Sequence, residues 1–84
     1  MKLSQAQSDL LRALLDGQQL KSHRYLSGEK VFRLHALDRL PQTVAPEIVE
    51  FLSEHDLIDS NKKFPSATYW LTEKGQRVAR RLKS

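Results

Sequence analysis

The residues whose types and spacing could do chemistry are cations. Lys62 and Lys63 are adjacent, Arg77, Arg80 and Arg81 share one short stretch, and Lys21, Arg24, Lys30 and Arg33 recur within another. Lysine and arginine in clusters are phosphate-binding chemistry. Arg77 and Arg81 are four apart, so a helix would set them on one face. The carboxylates form the complementary pattern. Glu47, Glu50, Glu54, Asp56 and Asp59 all fall in residues 40–60, which hold no lysine or arginine. Residues 20–39 carry five positive and two negative side chains, and residues 61–84 carry seven positives against Glu73 alone. The net charge is only +4. Its distribution, one acidic segment between two basic ones, is the informative part.

Catalytic constellations do not assemble. With no cysteine, thiol nucleophiles, thiolate metal sites and disulfides are excluded. His23 and His35 flank a predicted turn near Tyr25 and are expected to lie across from each other. No compact His/Asp/Glu spacing accompanies them, so surface or interstrand packing is the simpler reading than zinc. His55 stands apart from both. Glu50 and Glu54 are one helical turn apart, which on a helix flank reads as a solvated face and not an acid/base pair. Nothing resembles a nucleophile elbow. Gly17, Gly28 and Gly75 are isolated, so there is no phosphate-cradling glycine loop. The expectation is a protein that is not an enzyme, with no metal and no cofactor, acting through what its surface binds.

The elements that would position these charges can be read along the chain. Ser4 and Gln7 fit a capping box, followed by Leu10, Leu11, Leu14 and Leu15 at helical spacing and by Gly17 as a stop. This predicts a first helix at about residues 5–16. Leu20–Leu26 and Val31–Leu37 flank Ser27-Gly28-Glu29-Lys30 and read as a β-hairpin, with Phe32, Leu34 and Ala36 inward and Arg33 and His35 outward. Residues 38–42 read as a connector. Thr43 is expected to cap a second helix with Pro46 and Glu47 in its first turn and Ile48, Val49, Phe51 and Leu52 as its apolar stripe. Leu57–Ser60 and Ala67–Leu71 read as two strands around a loop at residues 61–66. Thr72 caps a last helix over residues 73–82, in which Gly75 weakens the first turn by up to about 1 kcal/mol relative to alanine. Tyr69 and Trp70 must face opposite sides of their strand, which leaves one partly exposed. Phe64, beside Pro65, is the expected exposed apolar residue of the loop.

Leu57-Ile58, the basic loop, and then Tyr69-Trp70-Leu71-Thr72-Glu73-Lys74-Gly75 resemble the wing of winged-helix transcription regulators. In that family a Leu-Ile strand follows the recognition helix, and a Tyr-x-Leu-Thr-x-x-Gly strand leads into the last helix. The resemblance covers about a quarter of the chain. It implies a winged helix-turn-helix fold, double-stranded DNA as partner and a role in transcription regulation. Two helices usually precede the wing in that family. Here a hairpin and one helix occupy the space, so either the missing helix has shrunk to a turn around Arg39–Gln42 or the hairpin replaces part of it. Leu3-Ser4, Gly17, Arg24, Gly28, Phe51 and Leu57-Ile58 are also similar in order to the small YjhX-type toxin-like bacterial proteins.

Charge sorts the surfaces that could meet DNA. The helix before Leu57 offers Glu47, Glu50 and Glu54, which phosphate would repel, so it is a poor groove reader. The wing lysines Lys62 and Lys63, the helix cations Arg77, Arg80 and Arg81, and Arg24 and Arg33 of the hairpin suit phosphate better. Taken singly, each is equally a solvated charge that keeps a small domain dispersed. The competing expectation is a protein-binding module, toxin-like or phage-encoded, that uses Glu47, Glu50, Glu54 and Phe64 on a partner or on a second copy in a homodimer. The polar opening Met1-Lys2-Leu3-Ser4-Gln5 and the lack of any apolar run near 20 residues predict a cytoplasmic chain with no signal peptide and no membrane partner. The fold expected over residues 1–84 is a single α+β, winged-helix-like domain. It would have three helices and a small antiparallel sheet made of an N-terminal hairpin and a C-terminal wing hairpin.

Overall fold

The computed structural model describes residues 2–83. Its elements follow in the order α1 (Gln5–Leu15), β1 (Gln19–Arg24), β2 (Lys30–His35), β3 (Gln42–Val44), α2 (Pro46–Glu54), β4 (Ile58–Ser60), β5 (Ser66–Leu71) and α3 (Glu73–Lys83). The class is α+β, with three helices and one antiparallel five-stranded sheet in the order β3-β2-β1-β5-β4.

Local chemistry sets most of the boundaries. The Ser4 hydroxyl accepts from the Gln7 amide, and the Gln7 side chain accepts from the Ser4 amide, which closes the capping box. At the other end of α1, Gly17 takes φ 97°. There its amide donates to the Leu14 carbonyl, and that of Gln18 donates to Ala13. This is a Schellman stop, which needs the left-handed conformation glycine adopts without strain. α2 stops in the same way, with the amides of Asp56 and Leu57 donating to Ser53 and Leu52. Here the left-handed residue is Asp56, at φ 60°. The Thr72 hydroxyl accepts from the Gly75 amide at the start of α3 and donates to the Asp56 carbonyl. One side chain thus ties the end of α2 to the beginning of α3.

Two expectations are corrected between β2 and α2. Residues 38–42 are not only a connector, because Gln42–Val44 forms a third strand on the outer side of β2, with Arg33 opposite Thr43. Thr43 therefore does not cap α2. Ala45 occupies that position without a side-chain cap, and Pro46 opens the helix. The proline's fixed φ starts the helix, while the open edge of β2 offers Thr43 backbone partners instead. As expected, the two hairpins belong to one antiparallel sheet. β1 pairs with β5, setting Leu20 opposite Tyr69 and Ser22 opposite Ala67, so hairpin and wing form one continuous sheet.

The core lies on one face of that sheet. Leu10 and Leu11 of α1, Val49 and Leu52 of α2 and Ala79 of α3 bury against Leu20, Phe32, Leu57, Ile58 and Leu71. Phe51, expected in the core, is only half-buried and stacks on His55 with centroids 4.1 Å apart. Tyr69 turns inward, edge-on to Phe32, and Trp70 turns outward.

Gly75 has a role beyond its weak helix propensity. A Cβ built there would lie 1.9 Å from the Leu57 carbonyl oxygen, so only glycine lets α3 approach β4 this closely. Gly75→Ala should gain up to about 1 kcal/mol of helix propensity and lose more, by overpacking costs of roughly 1–3 kcal/mol. Thermal unfolding should show a lower midpoint. A raised midpoint would mean that the backbone at Leu57 yields freely.

Candidate nucleic-acid interface

The strand pairing decides which of the predicted cations meet. β1 ends at Arg24 and β2 begins at Lys30, so both sit at the turn end of the hairpin. β5 starts at Ser66 beside His23, so the wing loop arrives at this same end. The Arg24 amide donates to the Pro65 carbonyl at 2.8 Å and fastens the two loops together. Arg24, Lys30, Lys62 and Lys63 consequently line one depression of about 350 Å³. Within it the Lys30 ammonium lies 3.4 Å from the Tyr69 hydroxyl and 5.3 Å from the centre of the Phe32 ring. Its stem is thus half-buried while its charge stays at the rim.

The wing loop is shaped by its own side chains. Asn61 Oδ1 accepts from the amides of both Lys63 and Thr68, each at 3.2 Å. The Lys62 amide donates to the Ser60 hydroxyl, and Lys62 itself adopts φ 54°. Asparagine bracing a loop through backbone amides is a known turn device. From sequence alone Asn61 reads only as part of a loop, and Lys30 only as one of four hairpin cations. The turn chemistry of Asn61 was a usable signal, but the place of Lys30 depends on the β1–β5 pairing.

Other predicted residues lie elsewhere. Arg77, Arg80 and Arg81 are exposed on α3. That helix begins beyond Leu71, at the far end of β5 from the wing, and a six-residue strand is roughly 20 Å long. The α3 cations and the wing lysines thus form two basic surfaces and not one. Arg33 projects from the opposite face of the sheet, where its guanidinium donates to the Tyr25 hydroxyl at 3.3 Å. Glu47, Glu50 and Glu54 are exposed on α2, and among the described residues no ion pair engages them. Glu50 lines a second depression with Arg24 and Lys30, which places one carboxylate at the border of the basic site. Phe64 is exposed, as expected, and with Leu26, Tyr25 and Pro65 it forms an apolar rim between the two loops.

His23 and His35 do not oppose each other. His23 sits across from Val31 and His35 across from Gln19, because the turn is centred on Ser27, two residues before the midpoint between the two histidines. His23 instead contacts the Ser66 hydroxyl at 2.7 Å and packs edge-on against Tyr25. No group of three His, Asp or Glu side chains among the described residues could hold a metal ion. No described helix is long and apolar enough to cross a membrane. No protein-family model, curated protein or solved structure matches this chain.

One acid tempers the site. Asp59 accepts from the Ser60 amide and from the Lys62 ammonium, at 2.8 and 3.3 Å. The hydrogen bond from the Ser60 amide, and then the hydrogen bond and charge of Lys62, hold its carboxyl below the usual aspartate range. Their contribution is present above the ordinary aspartate pKa and is lost as pH falls through the lowered one. Lys62→Ala should move the Asp59 titration part of the way back up, as followed by side-chain carboxyl NMR. An unmoved titration would show that Lys62 does not dwell on Asp59.

Proposed function

We propose that the chain is a small nucleic-acid-binding protein of winged-helix-like design that grips the phosphate backbone of duplex DNA with its wing end. The observation that carries this reading is the convergence of Arg24, Lys30, Lys62 and Lys63, drawn from two separate hairpins, around a single depression. Scattered cations on a small domain are ordinary surface. Four gathered at one loop end make a local positive field that draws in phosphate and releases counterions. The order α2, β4, basic loop, β5, α3 supports the winged-helix comparison, with a three-stranded meander in place of a second helix before the wing.

The acidic face of α2 argues for an approach different from the usual one. Three exposed glutamates would be driven off by the phosphates flanking a groove. In this proposal the wing and the turn of the first hairpin approach the duplex, and α2 stays clear. The α3 cations stand too far away to join the same contact and add at most a longer-range field, screened within about 10 Å at ordinary salt. A second reading, a protein-binding module, draws on the same three glutamates, which are available to a cationic partner.

Fluorescence anisotropy of a labelled duplex at two salt concentrations tests the proposal. Lys62→Glu with Lys63→Glu should weaken binding and reduce the slope of log affinity against log salt by about 2. Arg77→Glu with Arg80→Glu should leave most of the affinity in place. Equal binding by the wild type and the wing double variant would overturn the proposal. Absence of duplex binding at low salt, together with capture of a partner lost on Glu50→Lys, would favour the protein-binding reading.

A further inference from the structure

The core residues of all three helices pack against one set of strand side chains, and the opposite face of the sheet is bordered by helix residues (Leu14, Leu15 and Gln76) at its Trp70 end, around a depression of about 410 Å³. Strand register lays out its side chains in rows. One end row runs Asp59, Trp70, Gln19, His35. The middle row runs Thr68, Lys21, Arg33, Thr43. The row toward the wing runs Ser66, His23, Val31, with Tyr25 just beyond. None of these residues is buried, and Trp70 and Tyr25 retain 45 % and 39 % exposure. Neighbouring strands are about 4.8 Å apart and successive rows about 7 Å. The face is therefore a flat array with rings at both ends and two cations at its centre. A shallow depression of about 330 Å³ opens beside Lys21, His23, Tyr25, Arg33 and His35.

We propose that this sheet face is a stacking platform for single-stranded nucleic acid. Exposed aromatic side chains interleaved with cations suit unpaired bases and the phosphates between them, although the His23 and Tyr25 rings meet edge-on, so at most one of that pair lies along the face. Trp70 at one end and His23 and Tyr25 at the other are two and about three rows apart, enough for more than one base. Lys21 and Arg33 lie between them, where the connecting phosphates would run. The sole carboxylate of the face, Asp59, stands at its edge and is already engaged by Lys62 and the Ser60 amide. Tyr25 also orients Arg33 through its hydroxyl, which keeps the guanidinium over the face.

A second copy of the chain is the poorer occupant. A two-fold contact through this face would bring Lys21 and Arg33 near their own counterparts. A duplex is also a poor fit, because its bases are stacked inside and offer no free ring faces. The platform adjoins the basic depression at the wing through the Asp59–Lys62 pair, and the inference goes beyond the duplex-binding proposal and does not depend on it.

Trp70 is the only tryptophan in the chain, so the platform carries its own reporter. Titration of the full-length protein with a short oligo(dT) strand should quench its fluorescence, with an affinity that falls as salt rises. Trp70→Ala, followed by anisotropy of a labelled oligo(dT), should weaken binding about tenfold. Lys21→Ala with Arg33→Ala should weaken binding and lower the salt slope while leaving Trp70 as reporter. Lys63→Glu, which leaves the Asp59–Lys62 pair intact, should weaken duplex binding and leave oligo(dT) quenching nearly unchanged, which separates failure of this inference from failure of the wing proposal. No quenching at low salt would overturn it. So would unaltered oligo(dT) affinity in both platform variants, or a homodimer in sedimentation that buries Trp70.

Discussion

Four cross-strand pairs, from Leu20 with Tyr69 to His23 with Ser66, hold this molecule's two halves in one sheet. Without the β1–β5 ladder the sheet would fall into a three-stranded meander and a separate two-stranded hairpin, and such a hairpin is marginal alone in water. With it, the core acquires a continuous floor, and Leu20 and Leu71 come under the same helices. The ladder also brings Arg24 to Pro65 and so carries the first hairpin's cations to the wing's. The same register turns Lys21, Arg33 and Trp70 out on the opposite side. The wing depression and the uncovered sheet face are thus both consequences of a single pairing, between segments 43 positions apart in the case of His23 and Ser66.

That dependence explains what could be read from residue order and what could not. Features whose cause is local were legible. They include the Ser4–Gln7 capping box, the Gly17 stop, the hairpin around Gly28, the strands on either side of the wing loop and the Thr72 cap. Each rests on residues close together in sequence: cap side chains on nearby amides, a glycine backbone stop, or apolar alternation around a turn. The third strand was not legible, because Gln42-Thr43-Val44 is short, lies between Pro41 and Pro46, and carries a threonine that also fits a helix cap. What makes it a strand is the open edge of β2, which no local pattern records. The convergence of Arg24 and Lys30 with the wing lysines, and the distance of Arg77, Arg80 and Arg81 from them, likewise follow from long-range register. Charge clustering identified the right kinds of residue and could not say which clusters would touch.

Gly75 and Thr72 show local and distant needs agreeing at one point. Glycine is a poor choice for the first turn of a helix on propensity alone. The Leu57 carbonyl beneath it requires one. Thr72 caps that turn and also reaches the Asp56 carbonyl, where α2 ends in a left-handed residue. The joint between α2, β4 and α3 is therefore fixed by backbone approach and hydrogen bonds as much as by apolar burial. A joint of this kind gives the wing a firm root while its tip stays shaped by polar contacts from Asn61.

The two outer strands, β3 and β4, are only three residues long. A broad sheet with one uncovered face would ordinarily recruit neighbours along its borders, strand upon strand, toward insoluble polymers. Here each border offers too little backbone to template such growth. Prolines close one side, and a left-handed aspartate and lysine bend the chain away on the other. This geometry lets a chain of this size keep a wide polar face bare while guarding against fibril formation.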